Sequence, residues 1–261
     1  MKALELKSTV LILVAATVER RAVMRQVGAR NGGPAARLID GGLQSVRDLG
    51  VLSSCRVLLA QTEQGTVDPG GMTLAAADIV RQVRPDYVIL TGICFGLRPG
   101  EQSETDLVVA TQVECLDWHK EVESEDGTLQ LITRGDRVAT SVILRDRARL
   151  VEDNWTRSKV HFGPVLSLNT LLNSRQRTAE LRAFKPDAVG GEMEAAGVYA
   201  VGARAMTDWI VVKSISDWGY DKTNNHQETA ADAAAEFVAE LIDSGYLDTP
   251  PHELRRPVAS S

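Results

Sequence analysis

Cysteine is scarce, with Cys55, Cys94 and Cys115 the only three in 261 residues. They are odd in number, far apart, and form neither a CxxC pair nor a Cys/His metal spacing. A disulfide framework and a zinc module are excluded, and a reducing, cytoplasmic compartment is expected. Long apolar runs are missing too. The strongest, VLILVAA at residues 10–16, is too short to cross a bilayer and is followed, not preceded, by the basic pair Arg20 and Arg21. It reads as a buried strand, so no membrane partner is expected. Positive charge is in deficit: 29 Lys and Arg against 35 Asp and Glu leave a net charge of −6. That balance argues against nucleic acid or an anionic lipid surface as partner. A small phosphorylated ligand, which needs only one local cation, stays open. No internal repeat is found. The stretch GARNGGPAARLIDGG (28–42) lacks the Lys-Ser/Thr ending of a phosphate-binding loop and reads as a flexible surface excursion.

The length suffices for one domain with a large core. That domain is expected over residues 1–246, followed by a polar, Pro-rich tail at 247–261 with little order. Six short runs rich in Val, Ile and Leu, at residues 9–16, 56–61, 86–92, 106–113, 163–168 and 208–216, predict strands. Their near-continuous apolarity suits a sheet covered on both faces. Between them, Met72, Ala75, Ala76, Ile79, Val80 and Val83 mark one face of a helix that Pro85 stops. Ala230, Ala234, Phe237, Val238 and Leu241 mark another. This alternation predicts an α/β fold: a three-layer sandwich with a twisted mixed β-sheet flanked by helices. Ligands in such folds sit outside the carboxyl ends of strands.

One predicted strand ends in polar residues, WIVVKSISDWG. Asp217 at its carboxyl end, beside Trp218, is either a desolvated acid suited to catalysis or the close of an Asx-type turn. In GGEMEAAGVYAVG (190–202), Glu192 and Glu194 flank Met193 at the mouth of an Ala-rich helix. The acids either complement the helix dipole or face a ligand. Trp118 and His119, in CLDWHKE, either stack on a base and contact a sugar or are structural.

GGEMEAAGVYA followed by VVKSISDWG resembles the paired signatures of the purine nucleoside phosphorylase and methylthioadenosine/S-adenosylhomocysteine nucleosidase superfamily. VLILVAA, EQGTVDPGGM, DYVILTGICFGL and HFGPVLSLNTLL come in that family's order, so the resemblance covers residues 10–242. TGICFGL with GGEMEAAG is similar to the subgroup used as effector domains in defence proteins. The resemblance implies cleavage of the N-glycosidic bond of a purine nucleoside or 5′-nucleotide, adenine being favoured, through an oxocarbenium-like transition state. It implies a homodimer or larger homo-oligomer, with no metal and no cofactor beyond phosphate as a co-substrate. Asp217 would protonate purine N7, with Ser216 orienting it. Glu194 would accept the ribose 2′- and 3′-hydroxyls, and Met193 would pack on the sugar. Thr91, Gly92, Ile93, Cys94, Leu171 and Trp218 would shape the base pocket. Two acids two residues apart are expected to face different surroundings, which leaves Glu192 as a supporting or helix-start acid.

The departures bear on the acceptor. Hydrolases of the superfamily keep a water-activating Glu after the first strand; aligning ATVERRAV places Arg21 there, which implies a phosphate ligand, the alternative being a solvated charge of the ERR cluster. Ile93 stands where phosphorylases keep a phosphate-contacting Ser, and Leu90 where they keep an Arg. Water is therefore slightly favoured as acceptor, with Arg21 holding a phosphate already attached to the substrate. The alternatives are phosphorolysis to ribose 1-phosphate and a non-catalytic nucleotide-binding or assembly module.

Overall fold

A computed structural model describes residues 6–33, 37–39, 44–125, 127, 129–222 and 224–255. In chain order the elements are β1 (Ser8–Val14), α1 (Thr17–Asn31), β2 (Arg37–Ile39), β3 (Val46–Leu52), β4 (Cys55–Gln61), α2 (Met72–Val83), β5 (Tyr87–Gly96) and β6 (Leu107–Cys115). There follow β7 (His119–Glu123), β8 (Leu129–Thr133), β9 (Arg137–Ala139), α3 (Val142–Glu152), β10 (Val160–Ser167) and α4 (Arg175–Phe184). The last are β11 (Gly190–Glu192), α5 (Ala195–Ala205), β12 (Asp208–Asp217), α6 (Gln227–Asp243) and α7 (Pro251–Leu254). All six expected strands form.

One ten-stranded sheet runs β11-β10-β6-β12-β5-β1-β4-β3-β2, with β9 on β6; β7 and β8 make a separate hairpin. It is mixed, as expected: β1 pairs parallel with β4 and β5, whereas β12 meets β6 antiparallel. Strand alternation sends Val10 and Ile12 into one apolar layer with α1, α3 and α6, and Leu11 and Leu13 into the other with α2 and α5. Helices therefore cover both faces.

β11 also pairs antiparallel with β5, which closes β11, β10, β6, β12 and β5 into a small barrel at one end of the sheet. Glycine makes that closure possible, because a Cβ on Gly191 would lie 2.2 Å from the Phe95 ring. This barrel end carries the polar cavity described below.

Two expectations are corrected. Residues 28–31 finish α1, which Gly32 ends at φ 84°, and Arg37–Ile39 pairs with β3, so these parts of 28–42 are regular structure; 34–36 and 40–42 lie outside the described residues. Nor does the packed chain stop at 246. Leu247 is fully buried, Tyr87 donates a hydrogen bond to the Thr249 carbonyl at 2.6 Å, and Arg255 bridges to Asp208. Burying one leucine side chain stabilises by about 1.5–3 kcal/mol, enough to pin the segment. Residues 256–261 lie outside the described residues.

Candidate active site

At the carboxyl ends of β1, β5, β11 and β12 lies a cavity of roughly 300 Å³. Ala15 and Glu19 line it after β1, Ile93, Cys94 and Phe95 from β5, Ser216 and Asp217 from β12. An open surface depression beside Arg98 and Arg182 is larger, at roughly 640 Å³, but shares no residue with it.

The floor is built around Lys213, fully buried in the middle of β12. Its Nζ lies 3.3 Å from Glu194, and 4.0 Å from each of Glu19 and Glu192. A buried ammonium costs several kcal/mol unless paired, so this Lys demands the acids around it. Burial alone would lower its pKa, but Glu19, Glu194 and Glu192 outweigh that and raise it.

Gly92 lets Glu19 in. It is the register partner of Lys213, has φ 142°, and a Cβ there would fall 1.9 Å from Glu19 Oε1. Glu19 stands in the first turn of α1. Its Oε2 accepts the Ala15 and Ala16 N–H groups and its Oε1 the Ile93 N–H, all at 2.8 Å. Three backbone donors fix the carboxylate at the cavity wall.

The acid–Met–acid stretch divides its labour. Glu192 ends β11, and its carboxylate accepts N–H bonds from Glu194 at 2.9 Å and Ala195 at 2.9 and 3.1 Å. It thus caps α5, satisfying donors that a helix start leaves free. Desolvation pushes its carboxyl up to about 7; Lys213 pulls it down and Glu194 pushes it further up. Glu194 accepts from the Gly65 N–H at 3.2 Å and from Lys213, and lines the cavity with Met193. The expectation that the two acids face apart is corrected: both line the cavity, because the chain turns from strand to helix between them.

Asp217 ends β12. Ser216 donates its hydroxyl to Oδ2 at 2.9 Å, the Gly219 N–H donates to Oδ1 at 2.8 Å, and Lys222 Nζ lies 3.6 Å away. The Gly219 bond is the Asx-type turn, and the same carboxylate lines the cavity.

The structure therefore brings together Asp217, Ser216, Glu194, Met193, Glu192, Ile93, Cys94 and Leu171. Burial pushes the Cys94 thiol far above its ordinary range, so it is a wall and not a nucleophile. Thr91 is buried beneath, outside the lining. Four expected residues lie elsewhere. Trp218 packs on Gly96 and donates to Glu104 at 2.7 Å. Trp118 is 65% exposed, and His119 lines a separate hollow with Phe184. Arg21 is exposed on α1, where two residues beyond Glu19 is a turn of about 200° away from the cavity. The position expected to hold a cation is filled by Glu19. Sequence reading also missed Lys213, although a Lys inside WIVVKSIS is itself a signal of a buried partner.

A strand-end cavity with an acid at one wall and a lysine-centred carboxylate cluster beneath it is biased toward negative charge, which favours a ligand that carries or develops positive charge. Residues 13–244 match the family model for the Phosphorylase superfamily, and the chain belongs to that family. A death domain-containing ATP nucleosidase of Amphimedon queenslandica is 27% identical over 189 residues, 63% of this chain and 35% of that protein. The match thus spans about a third of that protein's length. A 5′-methylthioadenosine/S-adenosylhomocysteine nucleosidase of Maridesulfovibrio salexigens is 27% identical over 173 residues, 65% of this chain and 73% of that one. Among solved structures, the corresponding nucleosidase of Neisseria meningitidis, in complex with methylthio-immucillin-A, superposes with a TM-score of 0.74. It is 26% identical, with 91% of this chain and 99% of that one covered. Futalosine hydrolase of Helicobacter pylori shares the fold, with a TM-score of 0.75 at 23% identity over 91% and 98% of the two chains.

Proposed function

We propose that this protein hydrolyses the N-glycosidic bond of a purine nucleoside or 5′-nucleotide, adenine being the favoured base, and releases the free base. The observation that carries the reading is the placement of Asp217, Glu194 and Glu19 around one cavity at the barrel end. Asp217 protonates the purine at N7 as the bond to C1′ breaks, and the bonding pair leaves with the base. Glu194 holds the ribose hydroxyls, and the surplus of carboxylates over Lys213 stabilises the oxocarbenium. Glu19 takes a proton from the water that adds to C1′. The nucleosidases among the relatives support purine as substrate, and the ATP nucleosidase supports a nucleotide.

Water is the better acceptor on charge grounds. Among the described residues that line the cavity the one cation is Lys222, which faces Asp217, and Lys213 beneath the lining faces Glu194, which leaves inorganic phosphate no evident counter-ion. No metal or cofactor is invoked, since the Lys213 ammonium stands where a cation among these acids would be sought. A homodimer or larger assembly is part of the reading: Leu171 lines the cavity yet is 65% exposed, and Trp118 is equally open. A cytoplasmic setting fits the free cysteines, and no helix among the described residues is long and apolar enough to cross a membrane. A defence-effector role rests on the resemblance of TGICFGL and GGEMEAAG alone. Incubation with adenosine, inosine, AMP and ATP, with and without phosphate, tests the reaction. Free adenine with ribose or ribose phosphate is expected, whereas phosphate-dependent ribose 1-phosphate would restore phosphorolysis.

A further inference from the structure

Three carboxylates share one ammonium on the cavity floor, and the reaction above uses two of them. Glu192 has no part in it, although its side chain is only 1% exposed and lies as near Lys213 as Glu19 does. The charged and titratable groups facing Glu192 are Lys213 from β12, Glu194 from the start of α5, Glu19 from α1 and the Cys94 thiol from β5. The Ser167 hydroxyl of β10 adds a hydrogen bond. The ammonium sits closer to Glu194, at 3.3 Å, than to Glu192, at 4.0 Å. One cation among three acids leaves buried negative charge that a single proton relieves, and such a proton belongs to the group as a whole.

We infer that Glu192 is the positioning residue that carries this proton in the empty site and surrenders it when ribose hydroxyls bind Glu194. The inference rests on the ribose role of Glu194 proposed above. Ribose hydroxyls donating to Glu194 disperse its charge and weaken the repulsion that keeps Glu192 protonated. The O–H bond of Glu192 then breaks, the proton passes to solvent, and the carboxyl becomes a carboxylate with no other change in bonding. As a carboxylate it accepts more strongly from the Glu194 and Ala195 N–H groups, which fixes the backbone that carries the ribose ligand. Burial supports the assignment by holding this carboxyl at about 7.

Calorimetry on the wild type tests this with a C-nucleoside analogue of adenosine, whose carbon–carbon glycosidic bond resists hydrolysis. Titrations at pH 7 in two buffers of different ionisation enthalpy should read release of up to about half a proton. The 2′,3′-dideoxy analogue should release less. In kinetics, kcat/KM should rise about tenfold between pH 6 and pH 8, and Glu192→Gln should flatten that limb and lower the plateau. Binding without proton release overturns the inference, as does a folded Glu192→Gln that keeps the wild-type limb. Should the variant fail to fold, the wild-type calorimetry decides alone. A protein that binds the analogue with proton release but frees no purine loses the hydrolase reading and keeps this one; failure to bind the analogue removes both.

Discussion

Replacing Lys213 by Met keeps the length and apolar stem of the side chain and removes only the charge. Three carboxylates within 4.0 Å of the lost ammonium then have no cation among them. Removing one partner from a buried ion pair costs about 3–5 kcal/mol, because the remaining charge stays desolvated. For a chain of this size each kcal/mol lowers Tm by about 2–4 °C, so the midpoint should fall by about 6–20 °C. The loss should depend on pH in a definite direction. The Glu192 carboxyl is raised from 4.5 to about 7 in the folded protein. Its contribution to stability is therefore full below about 4.5 and is lost as pH rises through about 7. Without Lys213 the one downward pull from a cation disappears, the folded value climbs, and more stability is lost on the alkaline side. Thermal melts followed by circular dichroism between pH 5 and pH 8 should show a deficit that widens with pH. The double variant Lys213→Met/Glu192→Gln should recover part of it at pH 8. A deficit under about 1 kcal/mol, or one equal at pH 5 and pH 8, would refute the lysine-centred cluster.

Asp217→Asn should fold normally and lower turnover by about 10²–10⁴-fold, the usual contribution of a positioned acid; unchanged base release would remove Asp217 from that role. Glu194→Gln should weaken ribonucleosides by about 1.5–3 kcal/mol and 2′-deoxynucleosides less, since a charge-assisted hydrogen bond is lost. Equal losses on both would mark it as structural. Gly92→Ala should cost about 1–3 kcal/mol in backbone strain at φ 142° and also push Glu19 off the Ile93 N–H, so that activity falls further than Tm alone explains. A fully active Gly92→Ala protein would show that Glu19 does not sit there during turnover.

The central strands were legible because they are buried on both faces, so their apolar runs are unbroken: VLILV in β1 and WIVV in β12 admit no other reading. The strands that were not legible are short or half wet. β11 is only Gly190–Glu192, and its role depends on Phe95 seating against Gly191, a contact made by residues nearly 100 positions apart. β3, with Arg47, Asp48 and Gly50 inside it, breaks alternation because it lies near the sheet edge. In the tail, composition and packing point in different directions. Three prolines and several polar residues suggest disorder, yet Leu247 and Pro251 are buried and decide otherwise for residues 247–255. At the cavity, Glu192, Met193, Glu194, Ser216 and Asp217 of the motifs line it and Trp218 does not, while Glu19 and Lys213 escaped the sequence reading, since each matters through partners distant in sequence.

Arg21 shows how a two-residue slip changes a chemical conclusion. Letter alignment of ATVERRAV leaves Glu19, Arg20 and Arg21 as neighbours and cannot choose among them. Helix phase can. In α1 the buried positions are Glu19, Ala22, Val23 and Val27, the i, i+3, i+4, i+8 stripe of one helical face. A helix packed by Ala22, Val23 and Val27 must turn residue 19 inward and residue 21 outward, whatever charges they carry. Burial of a glutamate on such a stripe is then a physical demand for donors, which the Ala15, Ala16 and Ile93 N–H groups meet. The cation that had suggested an anion pocket faces away from the cavity, and a carboxylate takes its place at the wall. An acid there repels free phosphate and can accept a proton from water, so the same correction that turns Arg21 away from the cavity also offers a group for the proposed hydrolysis.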